Sequence, residues 1–185
     1  MLHRIWNTFG IIVIGIGLAL VVAFVGVRAV GLTPYAVLSG SMEPRYPTGS
    51  LIYVQHATPA DVTAGDAITF RLDSGTLVTH EVYDVDEARQ QFLTQGIANK
   101  NADGSTLHDA APVPFTALVG KPVAALPLLG YVNVACTTPP GIFVIIAALG
   151  VFIGTSLIIG RAKTRPSPER SSTWKRPPTK RGSRS

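Results

Sequence analysis

The chain has 185 residues, 46% of them hydrophobic and only 15% charged. That length holds one ordinary domain with additional segments, not two full domains. The single cysteine, Cys136, excludes an intramolecular disulfide and a cysteine-rich zinc site. The formal charge of +5 is unevenly placed: residues 33–138 carry five basic and ten acidic side chains, a net of −5, and the basicity lies after Ile159. An acidic compact part argues against a nucleic-acid partner.

In chain order, residues 1–8 form a short N-terminus, and from Phe9 to Val27 every residue is apolar or glycine. A run of about 18 such residues is long enough to cross a bilayer core, and its backbone must then be helical. Residues 9–32 are therefore expected to be a membrane anchor, with Arg28 reaching the interface near its far end. The run exceeds the usual core of a cleaved leader, about 7–15 residues, and no clean small-x-small site follows it, so the anchor is expected to stay attached.

Residues 33–140 read as β structure. Short β-branched or alternating runs recur at Ser50–Val54, Asp66–Phe70, Thr76–His80, Glu81–Val85 and Gln91–Thr94. Turn signals separate them at Pro47-Thr-Gly49, Ala64-Gly65-Asp66, Asp73-Ser-Gly75 and Asp103-Gly104. The expectation is a mainly β fold, a small antiparallel barrel or sandwich-like domain flanked by two transmembrane helices.

The second apolar run, residues 141–160, follows Pro139-Pro140-Gly141 and is expected to span the membrane again. The tail, residues 161–185, has nine Lys or Arg, one Glu and much Pro and Ser, a composition expected to be disordered. Basic residues cluster on the cytoplasmic side of membrane helices. Both termini are thus expected in the cytoplasm of a multi-pass cell-membrane protein, with the β domain outside and the tail near lipid headgroups.

Two features of the outer domain carry chemistry. Ser39-Gly40-Ser41-Met42-Glu43-Pro44 follows the anchor, with a glycine between two serines that lets the backbone turn sharply. A serine hydroxyl needs a base to act as a nucleophile. His80 closes the run Leu77-Val-Thr-His80, and histidine can serve as a base near neutral pH, whereas His56 and His108 sit among turn-forming residues and read as surface loop. A third group should orient the histidine, and Asp84, Asp86, Asp103 and Asp109 are all open on spacing. No His-x-x-x-His pair is present, so neither a metal nor another cofactor is expected.

The order of these segments resembles the type I signal peptidases, in the branch of the endoplasmic reticulum, archaea and some Gram-positive bacteria. Ser39–Pro44 is similar to the nucleophile motif, Gly65–Phe70 to the Gly-Asp-apolar box, and Val78–Val82 to the histidine box. Thr94–Asp103 resembles the Thr-Lys-Gly-Asp-Asn box, and Gly120–Val123 and Leu129–Val132 resemble the closing segment. The likeness runs from about Val37 to Val132. It implies Ser41 as nucleophile, His80 as general base, Asp103 as the residue that orients His80, and Ser39 as an oxyanion-hole donor.

It also implies partners: signal peptides of secretory preproteins, the lipid bilayer and proximity to the translocon. The chain departs from the pattern at Gln95, where the box has lysine, and at Ile97, where it has its first acid. Either Asp103 suffices, or Asp109 assists, or activity is reduced. Ile97 also motivates a second reading, a membrane-anchored accessory or scaffold protein with a degenerate site. A small adhesion domain on a hairpin anchor explains the topology but not the ordered boxes.

Overall fold

The computed structural model describes residues 2–163, with side chains described over residues 4–157. The expected disorder and lipid contact of the tail beyond residue 163 lie outside the described residues. The chain divides into two compact units, the first ending at Ile142 and the second beginning at Phe143.

The first unit opens with α1 (Leu2–Phe24), followed by a short 3-10 turn, Gly26–Val30. Arg4–Val30 is long and apolar enough to cross a membrane. Among the described residues eight strands follow: β1 (Leu32–Ala36), β2 (Leu51–Gln55), β3 (Ala67–Arg71), β4 (Leu77–Asp86), β5 (Gln91–Lys100), β6 (Thr106–His108), β7 (Val113–Pro114) and β8 (Leu118–Leu126). Helix α2 (Leu129–Thr137) ends the β region, and α3 (Gly141–Lys163) carries the second apolar run from the glycine where the sequence signals a boundary. Its helical backbone includes residues 161–163, assigned above to the tail. By length and composition the C-terminal run counts as a second span only when α2 and α3 are taken together as one broken span.

The strands pair antiparallel in the order β1-β2-β8-β3-β4-β5-β6, with β7 beside β5. This path has two ends, so the expected barrel is replaced by an open sheet. Strand β8 joins its halves, pairing with β2 along one stretch and with β3 along another. Gly120 sits at that crossing, where an added Cβ would lie 2.0 Å from the Gln55 carbonyl oxygen. The strand runs read as separate at Thr76–His80 and Glu81–Val85 are one strand, β4, which changes neighbours along its length. The turn glycines Gly49, Gly65, Gly75 and Gly104 all have φ between +83° and +92°, a region that favours glycine.

Side chains alternate across a strand, and β3 is buried on both faces. Ile68 and Phe70 join Val62, Val82, Phe92 and Val113 in one core cluster, with Phe92 and Phe115 rings 4.6 Å apart. Ala67 joins the other, with Met42, Tyr46, Ile52 and Val54. Met42 and Ile52 are each 2% exposed and belong to this second core.

Candidate active site

Ser41 lies in the loop between β1 and β2, which is fixed from several sides. The Gly49 N–H donates to the Val37 carbonyl and the Val37 N–H to that of Ser50, both at 2.8 Å, so the loop closes on the end of β1. Within it, the Thr48 N–H and hydroxyl both donate to Glu43 Oε1, at 3.2 and 2.9 Å. These bonds hold the Glu43 carboxyl below its ordinary pKa. Next to the serine, Met42 is driven into the core, and the Ala98 N–H of β5 donates to the Ser41 carbonyl at 2.9 Å. Gly96 of β5 lies close against the serine. A Cβ there would stand 3.0 Å from Ser41 Cβ and 2.5 Å from Asn99 Nδ2.

His80 is not at a strand end. It lies inside β4, at the point where pairing passes from β3 (through Ile68↔His80 and Ala67↔Glu81) to β5 (from Glu81↔Gln95 onward). Its ring meets Phe70 edge-on at 6.4 Å. Nε2 lies 3.1 Å from Ser41 Oγ, and Nδ1 lies 2.6 Å from Asp109 Oδ2. An ionised carboxylate only accepts, so Nδ1–H donates to Asp109 and the neutral ring leaves Nε2 to accept the Ser41 hydroxyl proton. With 12% of its side chain exposed, His80 is largely shielded from water.

The residue at Nδ1 is Asp109, not Asp103. Asp103 is exposed in the β5–β6 turn, where its Oδ1 accepts from the Ser105 N–H at 2.9 Å and the Ser105 hydroxyl at 2.6 Å. Those bonds lower its pKa and close a local turn. Asp109 follows β6. Its N–H donates to the Thr94 carbonyl at 2.9 Å, and the Thr94 hydroxyl donates to Asp109 Oδ2 at 2.6 Å. Thr94, buried in β5, thus fixes the carboxylate through backbone and side chain. The sequence signal that was available is Thr94 itself, the first residue of its box. His108, read as loop, is exposed at the end of β6 and stacks on Tyr83 at 3.9 Å. Ile97 packs against the cluster of Met42 and Tyr46.

Ser39 Oγ lies 3.4 Å from Ser41 Oγ. Both serines line a cleft of about 660 Å³ whose apolar walls include Tyr35, Val37, Met42, Ile52 and Leu77. His80 also lines a second cavity of about 310 Å³, with Asp109, Phe70, Val78 and Ala117. Along Leu77–His80, β4 pairs with β3 on one side, and on the other it has no strand partner among the described residues.

A serine, an imidazole and a carboxylate linked in this order can deprotonate the hydroxyl and hold the resulting cation. The chain is 43% identical over 82 residues to Signal peptidase I W of Bacillus subtilis, covering 43% of each protein. It is 25% identical over 123 residues to the signal peptidase complex catalytic subunit SEC11C of Rattus norvegicus, and likewise to that of Homo sapiens. These alignments cover 63% of this chain and 64% of the relative.

The chain is related to the type I signal peptidases. Its matches span less than two thirds of the length of these relatives. No family model matches it. The Ser41–His80–Asp109 line and the free β4 edge are the features of this signal peptidase relative from which a function can be argued.

Proposed function

We propose that the chain is a membrane-bound serine endopeptidase that removes signal peptides from exported preproteins. The observation that carries this reading is the continuous line from Ser41 Oγ through His80 to Asp109, at 3.1 and 2.6 Å. Ser41 attacks the scissile carbonyl carbon while His80 Nε2 takes its proton. Asp109 holds the imidazole in the required tautomer and offsets its charge. His80 then passes the proton to the departing amine, and water hydrolyses the ester left on Ser41. The Ser39 hydroxyl and the Ser41 N–H are the proposed donors to the oxyanion, a role typically worth about 3–4 kcal/mol per donor.

The substrate is proposed to bind extended along the open edge of Leu77–His80, as an added strand. The cleft beside Ser41 is proposed to take its alternate side chains, and the preference for small residues at −1 and −3 is the one the resemblance implies. Asp109 beside His80 meets the need for a third group that Ile97 leaves open, and this favours catalysis over the accessory reading.

The bilayer is the proposed second partner. Arg4–Val30 supplies one span, the C-terminal run supplies the other, and both termini lie in the cytoplasm. This topology sets the site at the outer membrane surface, near the translocon that delivers its substrates.

The test is cleavage of a secretory preprotein by the purified protein in detergent, wild type beside Ser41→Ala, with sequencing of the new N-terminus. Cutting after a small-x-small site by the wild type alone is expected. No cutting by folded wild type overturns the reading.

A further inference from the structure

Behind the catalytic line, a second polar chain runs through the residues next to it. Glu81 follows His80 on β4, and Gln95 follows Thr94 on β5. The two are directly opposed in the strand register. Neighbouring residues of a strand point to opposite faces, so Glu81 and Gln95 lie on the face away from His80 and Thr94.

There the Glu81 carboxylate is bonded on both oxygens. Oε1 accepts from the Gln95 amide at 3.1 Å, and Oε2 accepts from Arg45 Nη1 at 3.3 Å. Arg45 belongs to the nucleophile loop. Its guanidinium also reaches the Gly65 carbonyl at 3.4 Å and lies 5.6 Å from the centre of the Tyr46 ring. The loop bearing Ser41 is thus tied to the two strands that carry His80 and Thr94. Gln95 and Ile97, the two departures from the resemblance, each have a place in this arrangement. Gln95 bonds Glu81, and two residues on, Ile97 packs against Met42 and Tyr46 under the same loop.

We propose that Glu81, with Arg45 and Gln95, is a positioning residue that sets the Ser41 hydroxyl against His80 Nε2. The inference rests on the proteolytic reading above. An exposed ion pair contributes little to folding stability. A displacement of about 1 Å between reacting groups, however, can cost about a hundredfold in rate. The tie should therefore be visible in turnover before it is visible in the fold.

The experiment uses the full chain in detergent with a preprotein substrate. It measures kcat, KM and thermal midpoint for wild type, Ser41→Ala, Arg45→Met, Glu81→Gln, the Arg45→Met/Glu81→Gln double variant and Gln95→Met. Arg45→Met and Glu81→Gln are each expected to lose about tenfold in kcat, with KM within about twofold. The double should lose no more than either single, because each breaks the same tie. Gln95→Met, which leaves the ion pair intact, should lose less. The exchange Arg45→Glu with Glu81→Arg should recover most of the rate, since the Gln95 amide, turned over, accepts from a guanidinium at that position.

Wild-type kcat in the folded singles, multiplying losses in the double, or a rate loss that only follows the unfolded fraction would each overturn the proposal. Cleavage abolished by Ser41→Ala but untouched by Glu81→Gln overturns the tie alone. No cleavage by wild type overturns the proteolytic reading and the tie with it.

Discussion

Asp103 and Asp109 flank the short strand β6, and they behave as opposites. Asp103 spends its acceptor capacity on its own turn, taking both donors of Ser105, in a hairpin also closed by Lys100 to Thr106 and Asn101 to Ser105. Asp109 makes no such local closure. Its carboxylate takes its bonds from residues far away in sequence, His80 on β4 and Thr94 on β5. A carboxylate whose neighbours already satisfy it is a poor candidate to steer a distant imidazole. One whose backbone is pinned but whose oxygens face another strand is a good one.

This contrast can be broken by substitution. Asp109→Asn should have the largest effect, lowering kcat by about 10²–10⁴-fold, because an amide no longer enforces the tautomer with Nδ1–H. The check is single-turnover cleavage with the fold confirmed by circular dichroism. Thr94→Val keeps the shape and removes one hydrogen bond to Asp109, so a loss of about tenfold is expected, measured in the same assay. Asp103→Ala should leave kcat within about twofold and lower the thermal midpoint by a few degrees at most. Asp103→Ala costing as much as Asp109→Asn would reverse the assignment.

Acid separates the regions in another way. Cleavage needs the neutral His80 ring, because only an unprotonated Nε2 can accept the Ser41 proton. The Asp103 turn has a depressed folded pKa, so its contribution is present above the ordinary carboxylate value and lost only as pH falls through the lower folded one. The Glu43–Thr48 closure of the nucleophile loop follows the same sign. A thermal midpoint that holds at pH 5 and falls only in stronger acid is the expected result, and a loss already complete at pH 5 would contradict it.

Much of this site was legible in the residues. Ser41 and His80 are marked by a flexible Ser-Gly-Ser turn and by a histidine on an apolar strand, both local signals. The turn glycines are equally local, and so are the strands they bound. Asp109 was not legible because a hydrogen bond across strands depends on register, and β6 is too short to advertise itself. The open sheet was missed for a related reason. Strand β8 forms the bridge between its halves, and its turn into β3 depends on the close approach at Gly120 rather than on any hydrophobic period.

Gly96 has a consequence for how this protein can change over time. Ser41 is gripped through its carbonyl by Ala98, and on the other side only a hydrogen atom separates it from β5. Asn99 can swing its amide aside, but the serine's own Cβ has no such freedom. Alanine, the smallest possible enlargement at position 96, would push directly on Ser41. A single added methyl group, touching no hydrogen bond and no charge, is thus a route by which a lineage could silence the proposed activity while keeping its fold, its long apolar helix and every polar group of the site in the sequence.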